Sequence, residues 1–189
     1  MKKQTENFYI ITGGPGVGKT TLLKELEKSG YEIVPEEARK IIKQQVEAEE
    51  NGLPWKDKKR YTDLMFNVSV KTYLEIQLSN KNSIYLFDRG IIDSICYAEM
   101  CKLNISEEMN KIAIQCVFNK NVFILPPWAD IYENDQERKQ TWEEAVYTFE
   151  KMKEIYKKYG YNIIEVPKDT VENRKKFVHE VIENNNRKL

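Results

Sequence analysis

The chain has 189 residues, 41% of them apolar, which suits one domain with a core of its own. It carries 30 Lys and Arg against 30 Asp and Glu, so no global basic field favours nucleic acid. No apolar run approaches membrane-spanning length, and one histidine with three cysteines in no C-x-x-C pair argues against a His/Cys metal site and a Ser-His-Asp hydrolase. The segment Met1–Asn7 lacks the apolar core and cleavage site of a signal peptide. With Cys96, Cys101 and Cys116 read as reduced thiols, a cytoplasmic location is expected.

In chain order, the apolar run Phe8-Tyr9-Ile10-Ile11 reads as a strand. It leads into Gly13-Gly14-Pro15-Gly16-Val17-Gly18-Lys19-Thr20, which is G-x-x-x-x-G-K-T. A helix follows from about Lys19 to Ser29, with Leu22, Leu23 and Leu26 on one face and Gly30 at its end. Strand, glycine-rich loop and helix together are the context in which this motif binds phosphates. Tyr31–Val34 is a second strand, and Pro35 is expected to open a helix carrying Ala38, Ile41, Ile42 and Val46. Asn51-Gly52-Leu53-Pro54 breaks that helix, and a long helical pattern covers about Lys58 to Ser79.

Ser83–Phe87 is a third strand ending on Asp88-Arg89-Gly90, with a helix next through Ile91, Ile92, Ile95 and Cys96. Ser106 is the expected N-cap of a helix running through Met109, Ile112, Ala113, Cys116 and Val117. Asn121–Leu125 is the fourth strand, ended by Pro126-Pro127-Trp128. Thr141-Trp142-Glu143-Glu144 has capping-box spacing and starts a helix with Trp142, Ala145, Val146, Phe149, Met152, Tyr156 and Tyr159 at three- and four-residue steps. Tyr161–Val166 is the fifth strand, and a last helix from about Thr170 buries Phe177, Val178, Val181 and Ile182. The alternation predicts an α/β fold of three layers, a five-stranded parallel sheet between helices, over residues 1–189 as one domain.

Ligands of such sheets bind beyond the carboxyl ends of the strands. The loop residues Gly14, Pro15, Gly16, Val17, Gly18, Lys19, Thr20 and Thr21 are the expected nucleotide binders. Lys19 would reach the β- and γ-phosphates, and the Thr20 hydroxyl would hold Mg²⁺. Asp88, after its apolar strand, is the second expected Mg²⁺ residue; the alternative is an ordinary polar strand cap. Arg89 stands where motor ATPases commonly place a glutamate, which argues against a mechanical ATPase and suits a cation over a bound substrate. Glu36 and Glu37 either complement a helix dipole or supply, most naturally at Glu36, a general base for an acceptor hydroxyl. Arg39 follows on the same helix face, and Asp93 lies a turn beyond Asp88; both are candidate acceptor contacts. Arg138 sits in a polar segment at about 128–141 that is expected to act as a lid over the phosphates. Trp128 either stacks on a base or packs in the core or a hinge, and packing is the expectation.

The stretches Thr12–Thr21, Val34–Arg39 and Phe87–Ser94, with Tyr97, Leu125–Trp128, Arg138, Gly160-Tyr161 and Val166-Pro167, resemble the AAA-type predicted ATPase family. That family groups a ribosylnicotinamide kinase domain with GTP-binding proteins. The resemblance implies a kinase-type P-loop fold with sheet order 2-3-1-4-5. The Asp-Arg pair is also similar to that of thymidylate kinases, where an aromatic residue commonly follows; Gly90 stands here instead. Two functions are weighed. One is Mg-dependent transfer of the γ-phosphoryl group of ATP to a small, nucleoside-like acceptor. The other is a nucleotide-binding switch or slow NTPase with a protein or lipid partner. ATP is the default and GTP the alternative, because Asn119-Lys120-Asn121-Val122 lacks the aspartate of a guanine-reading motif.

Overall fold

The computed structural model describes residues 5–79, 83–131 and 141–187, without the side chains of Arg39 and Ile131. Five strands form one parallel sheet: β1 (Phe8–Gly13), β2 (Glu32–Val34), β3 (Tyr85–Asp88), β4 (Asn121–Leu125) and β5 (Asn162–Glu165). Their order is β2-β3-β1-β4-β5, as the resemblance implied. The helices are α1 (Lys19–Lys28), α2 (Ala38–Glu47), α3 (Lys58–Ser79), α4 (Ile91–Met100), α5 (Glu107–Gln115), α6 (Trp142–Lys158) and α7 (Val171–Asn186).

All six residues of β1 are buried because the sheet is covered on both faces. The strand period of two sends Phe8 and Ile10 to one face and Tyr9 and Ile11 to the other. The first pair joins a core with Phe66, Tyr73, Ile92, Ile95 and Tyr156, contributed by α3, α4 and α6. The second joins Leu22, Leu26, Val178 and Ile182 under α1 and α7. Burying each such side chain contributes about 1.5–3 kcal/mol, so both layers are fixed by the alternation in β1.

Parallel register brings distant segments together. Ile11 pairs with Asp88 and Gly13 with Leu125, so the glycine loop leaves the sheet between the ends of β3 and β4. The N-caps expected at Ser106 and Thr141 are present, Thr170 caps the last helix in the same way, and each hydroxyl accepts a backbone N–H. Among the described residues no helix is long and apolar enough to cross a membrane.

Several expectations need correction. Helix α2 begins at Ala38, not at Pro35, so Glu36 and Glu37 stand before its first turn. Glu36 is drawn into an ion pair with Arg89, which holds the segment after β2 as a loop. Helix α5 ends at Gln115: Cys116 is its C-cap and Val117 lies outside, 44% exposed. Trp142 and Val146 face solvent on α6, and Phe177 and Val181 are only half-buried on α7. In the segment expected to form a lid, Ala129–Ile131 is a single 3₁₀ turn; residues 132–140, Arg138 among them, lie outside the described residues.

Candidate functional site

Gly16 and Gly18 take φ angles of 78° and 76°, which an L side chain adopts only with strain; the motif's glycines are what allow the loop to turn over the start of α1. Gly18 caps α1 with no side-chain bond, so the first helical N–H groups stay open to an anion. Thr20 and Thr21 are exposed on this first turn. Lys19 is buried, 8% exposed, and its Nζ is paired with Asp88 Oδ1, with Glu36 Oε2 at 3.8 Å. Burial raises Asp88 above the usual carboxylate value, and the Lys19 ammonium only partly opposes this.

Arg89 departs from ordinary backbone geometry, with φ of 72°. Such conformations cost about 1–3 kcal/mol and persist where neighbours over-determine them. Here the Arg89 N–H donates to the Ile11 carbonyl at 3.0 Å, Nε donates to Glu36 Oε1 at 2.7 Å, and Nη1 donates to Asp93 Oδ1 at 3.3 Å. Burial alone would lower the Arg89 pKa, but Glu36, Asp93 and Asp88 outweigh it and raise it, so the guanidinium is a fixed cation.

Asp93 is 6% exposed and is the hub beneath Arg89. Besides Arg89 it accepts the Thr12 hydroxyl at 2.5 Å, the Tyr156 hydroxyl at 2.5 Å and the Gly90 N–H at 2.7 Å. A carboxylate so engaged orients Arg89 more than it offers an oxygen to a ligand. Gly90 is needed for close packing: a Cβ there would meet Ile10 Cδ1 at 2.5 Å.

Two cavities meet at the Glu36–Arg89 pair, and both residues line each of them. The first, about 790 Å³, is a groove along the glycine loop from Gly14 to Thr21, walled by Trp128, Asp130, Asp169–Val171 and Arg174. The second, about 520 Å³, lies between α3, α4 and α6 and is lined largely by Tyr61, Met65, Tyr97, Met100, Tyr147 and Met152. Tyr61 and Tyr97 meet edge to face at 5.5 Å, and burial pushes the Tyr61 phenol up to about 12, so it stays a neutral donor. An apolar, aromatic wall with a few polar groups at one end is the usual make-up of a small-molecule pocket.

The structure therefore brings together Lys19, Thr20, Glu36, Asp88, Arg89 and Asp93. Arg39 has its backbone in α2 and its side chain outside the description. Trp128 does not join the core; it is half-buried, lines the groove along the glycine loop and donates to Asp130 at 2.9 Å. Three residues were not foreseen: Tyr61 and Arg174 carry no motif, and Tyr97 was noted without a role. The aromatic pair could have been suspected from two tyrosines on adjacent helices; Arg174 had no such signal.

The residues fit a hard divalent cation. Asp88 is a carboxylate whose burial makes its charge costly, and Thr20 offers an exposed hydroxyl on the open helix start. Mg²⁺ takes such a pair with phosphate oxygens and water filling its remaining positions.

Residues 8–174 match the AAA domain family. Among curated proteins there is no match. Several solved structures share the fold. Deoxyadenosine kinase from M. mycoides, solved with dCMP and dCDP, is 17% identical, with TM-score 0.63 over 94% of this chain and 99% of that one. Thymidylate kinase from Ehrlichia chaffeensis is 16% identical, with TM-score 0.63 over 93% and 97%. The NadR protein in complex with NR is 18% identical, with TM-score 0.62 over 93% of this chain and 49% of that one.

Proposed function

The chain belongs to the AAA domain family, and on that premise we propose that it is a cytoplasmic kinase. It would transfer the γ-phosphoryl group of ATP to a hydroxyl of a small, nucleoside-like acceptor, with GTP as the alternative donor. The observation that carries this reading is the Glu36–Arg89 pair at 2.7 Å, standing on the wall shared by the phosphate groove and the aromatic pocket. A switch acting through a partner needs the groove alone and leaves the second cavity without a use.

In this mechanism the loop amides and Lys19 hold the triphosphate, and Lys19 exchanges its bond to Asp88 for phosphate oxygens. Thr20 and Asp88 hold Mg²⁺, which supplies neutralising charge on the phosphates. The aromatic pocket seats the acceptor ring against the Tyr61 and Tyr97 wall and turns its hydroxyl towards Glu36. Glu36 accepts the hydroxyl proton as the oxygen attacks phosphorus, and ADP leaves. Arg89, held by Asp93, places positive charge beside the group in flight. Arg39 is assigned to the acceptor, and Arg138 to a lid at about 128–141 that excludes water.

ADP release from Mg-ATP and from Mg-GTP, measured across nucleosides, nucleotides and nicotinamide riboside, tests the proposal. One acceptor should raise turnover strongly, and Arg89→Met should abolish that gain while sparing nucleotide affinity. Slow turnover indifferent to every acceptor would refute it.

A further inference from the structure

Helix α7 sends one side chain back to the glycine loop. Arg174, 3% exposed, donates from Nη2 to the carbonyl of Val17 at 3.0 Å across 157 positions of sequence. Its Nε is buried without a partner, and among the described residues no carboxylate lies within ion-pair distance of it. Burial accordingly pulls its pKa down. A buried guanidinium normally has an anion beside it, because an unpaired charge in the interior is costly. This one has a backbone carbonyl and lines the groove proposed for the triphosphate.

The geometry of a peptide unit gives the contact a direction. In a trans peptide the C=O and the N–H point opposite ways, and the described chain holds no cis bond. With the Val17 oxygen turned down onto Arg174, the Gly18 N–H is turned up, at the N-cap of α1, where the open helix amides begin. A cation on the carbonyl also polarises the peptide and makes that N–H a better donor.

We propose that Arg174 is a positioning residue for phosphate recognition: it fixes and polarises the Val17–Gly18 peptide so that Gly18 presents its N–H to the triphosphate. The charge unpaired in the protein is then compensated by the bound polyphosphate. This rests on the phosphate-binding half of the proposed function and not on the acceptor.

Calorimetric titration of the whole chain with Mg-ATP or Mg-GTP, whichever it binds, and with Mg-tripolyphosphate tests this in the parent, Arg174→Lys and Arg174→Met. Affinity should fall in the order Arg, Lys, Met, by about tenfold or more for Met, as expected on losing a charged hydrogen bond. The loss should be equal for nucleotide and tripolyphosphate, and the acceptor KM should not move. A brace with no part in recognition would lower the melting temperature and leave affinity of the folded protein unchanged. Unchanged affinity in whichever variant folds overturns the proposal, as does a loss confined to the nucleotide, which would place the effect at base or ribose. A parent chain that binds neither nucleotide overturns the phosphate-groove reading itself, and this inference with it.

Discussion

Asp93→Asn separates the four bonds of the hub by what each partner can tolerate. Gly90 N–H and Arg89 Nη1 can only donate, whereas the Thr12 and Tyr156 hydroxyls can turn and accept. The amide nitrogen cannot face Gly90 at 2.7 Å, so it takes the Oδ1 side. There Thr12 reverses its role, and Arg89 at 3.3 Å loses its partner. One charge-assisted bond is lost and the carboxylate charge is removed from the others, a cost of about 2–3 kcal/mol. For a domain of this size that lowers Tm by roughly 5–10 °C. Thermal denaturation reads this directly. A cycle with Arg89→Met should show a coupling of about 1 kcal/mol or more, because the two changes strike the same bond. A Tm drop below about 2 °C, or strictly additive effects, would refute the hub.

Lys19→Met should weaken Mg-ATP binding by about a hundredfold, the scale of a lost charged contact, and calorimetry would show equal affinity if the loop assignment is wrong. Tyr61→Leu should raise the acceptor KM by about two- to tenfold and leave the ATP KM alone; the reverse pattern would move the acceptor elsewhere. Asp88 predicts a pH dependence. Its folded pKa is raised from 3.8 by burial, so its contribution to stability is fully present below that value and is lost as pH rises through the raised one. Relative to Asp88→Asn, the parent should therefore lose stability as pH climbs from about 4, and a flat difference in denaturation midpoints would contradict the shift.

The phosphate loop was legible because its chemistry is local: glycines, lysine and threonine lie within eight positions, between an apolar strand and an amphipathic helix. The strand-end logic likewise placed Asp88 and Arg89 beside that loop, and the Ile11–Asp88 register shows why it worked. The partner of Glu36 was not legible. A helix beginning at Pro35 would have set it beside Arg39, but its ion pair with Arg89 lies 53 positions away and comes from neighbouring strands. Gly90 read only as a departure from an aromatic position, until Ile10 showed the space to be filled. Arg174 was hidden for a plainer reason: in a chain with 32% charged residues, an arginine on a helix reads as surface.

The contact between Val17 and Arg174 also orders events in time. Residues near 17 leave the ribosome long before those near 174, and a loop closed across 157 positions cannot form until α7 has docked on α1. The glycine motif can be made early, yet the groove it serves is finished by a helix whose contact residue is made 157 positions later. A nascent chain released before Thr170 would carry every recognisable signature of nucleotide binding and lack the support beneath it. Capture on immobilised nucleotide would then report the docking of α7 rather than the presence of the motif.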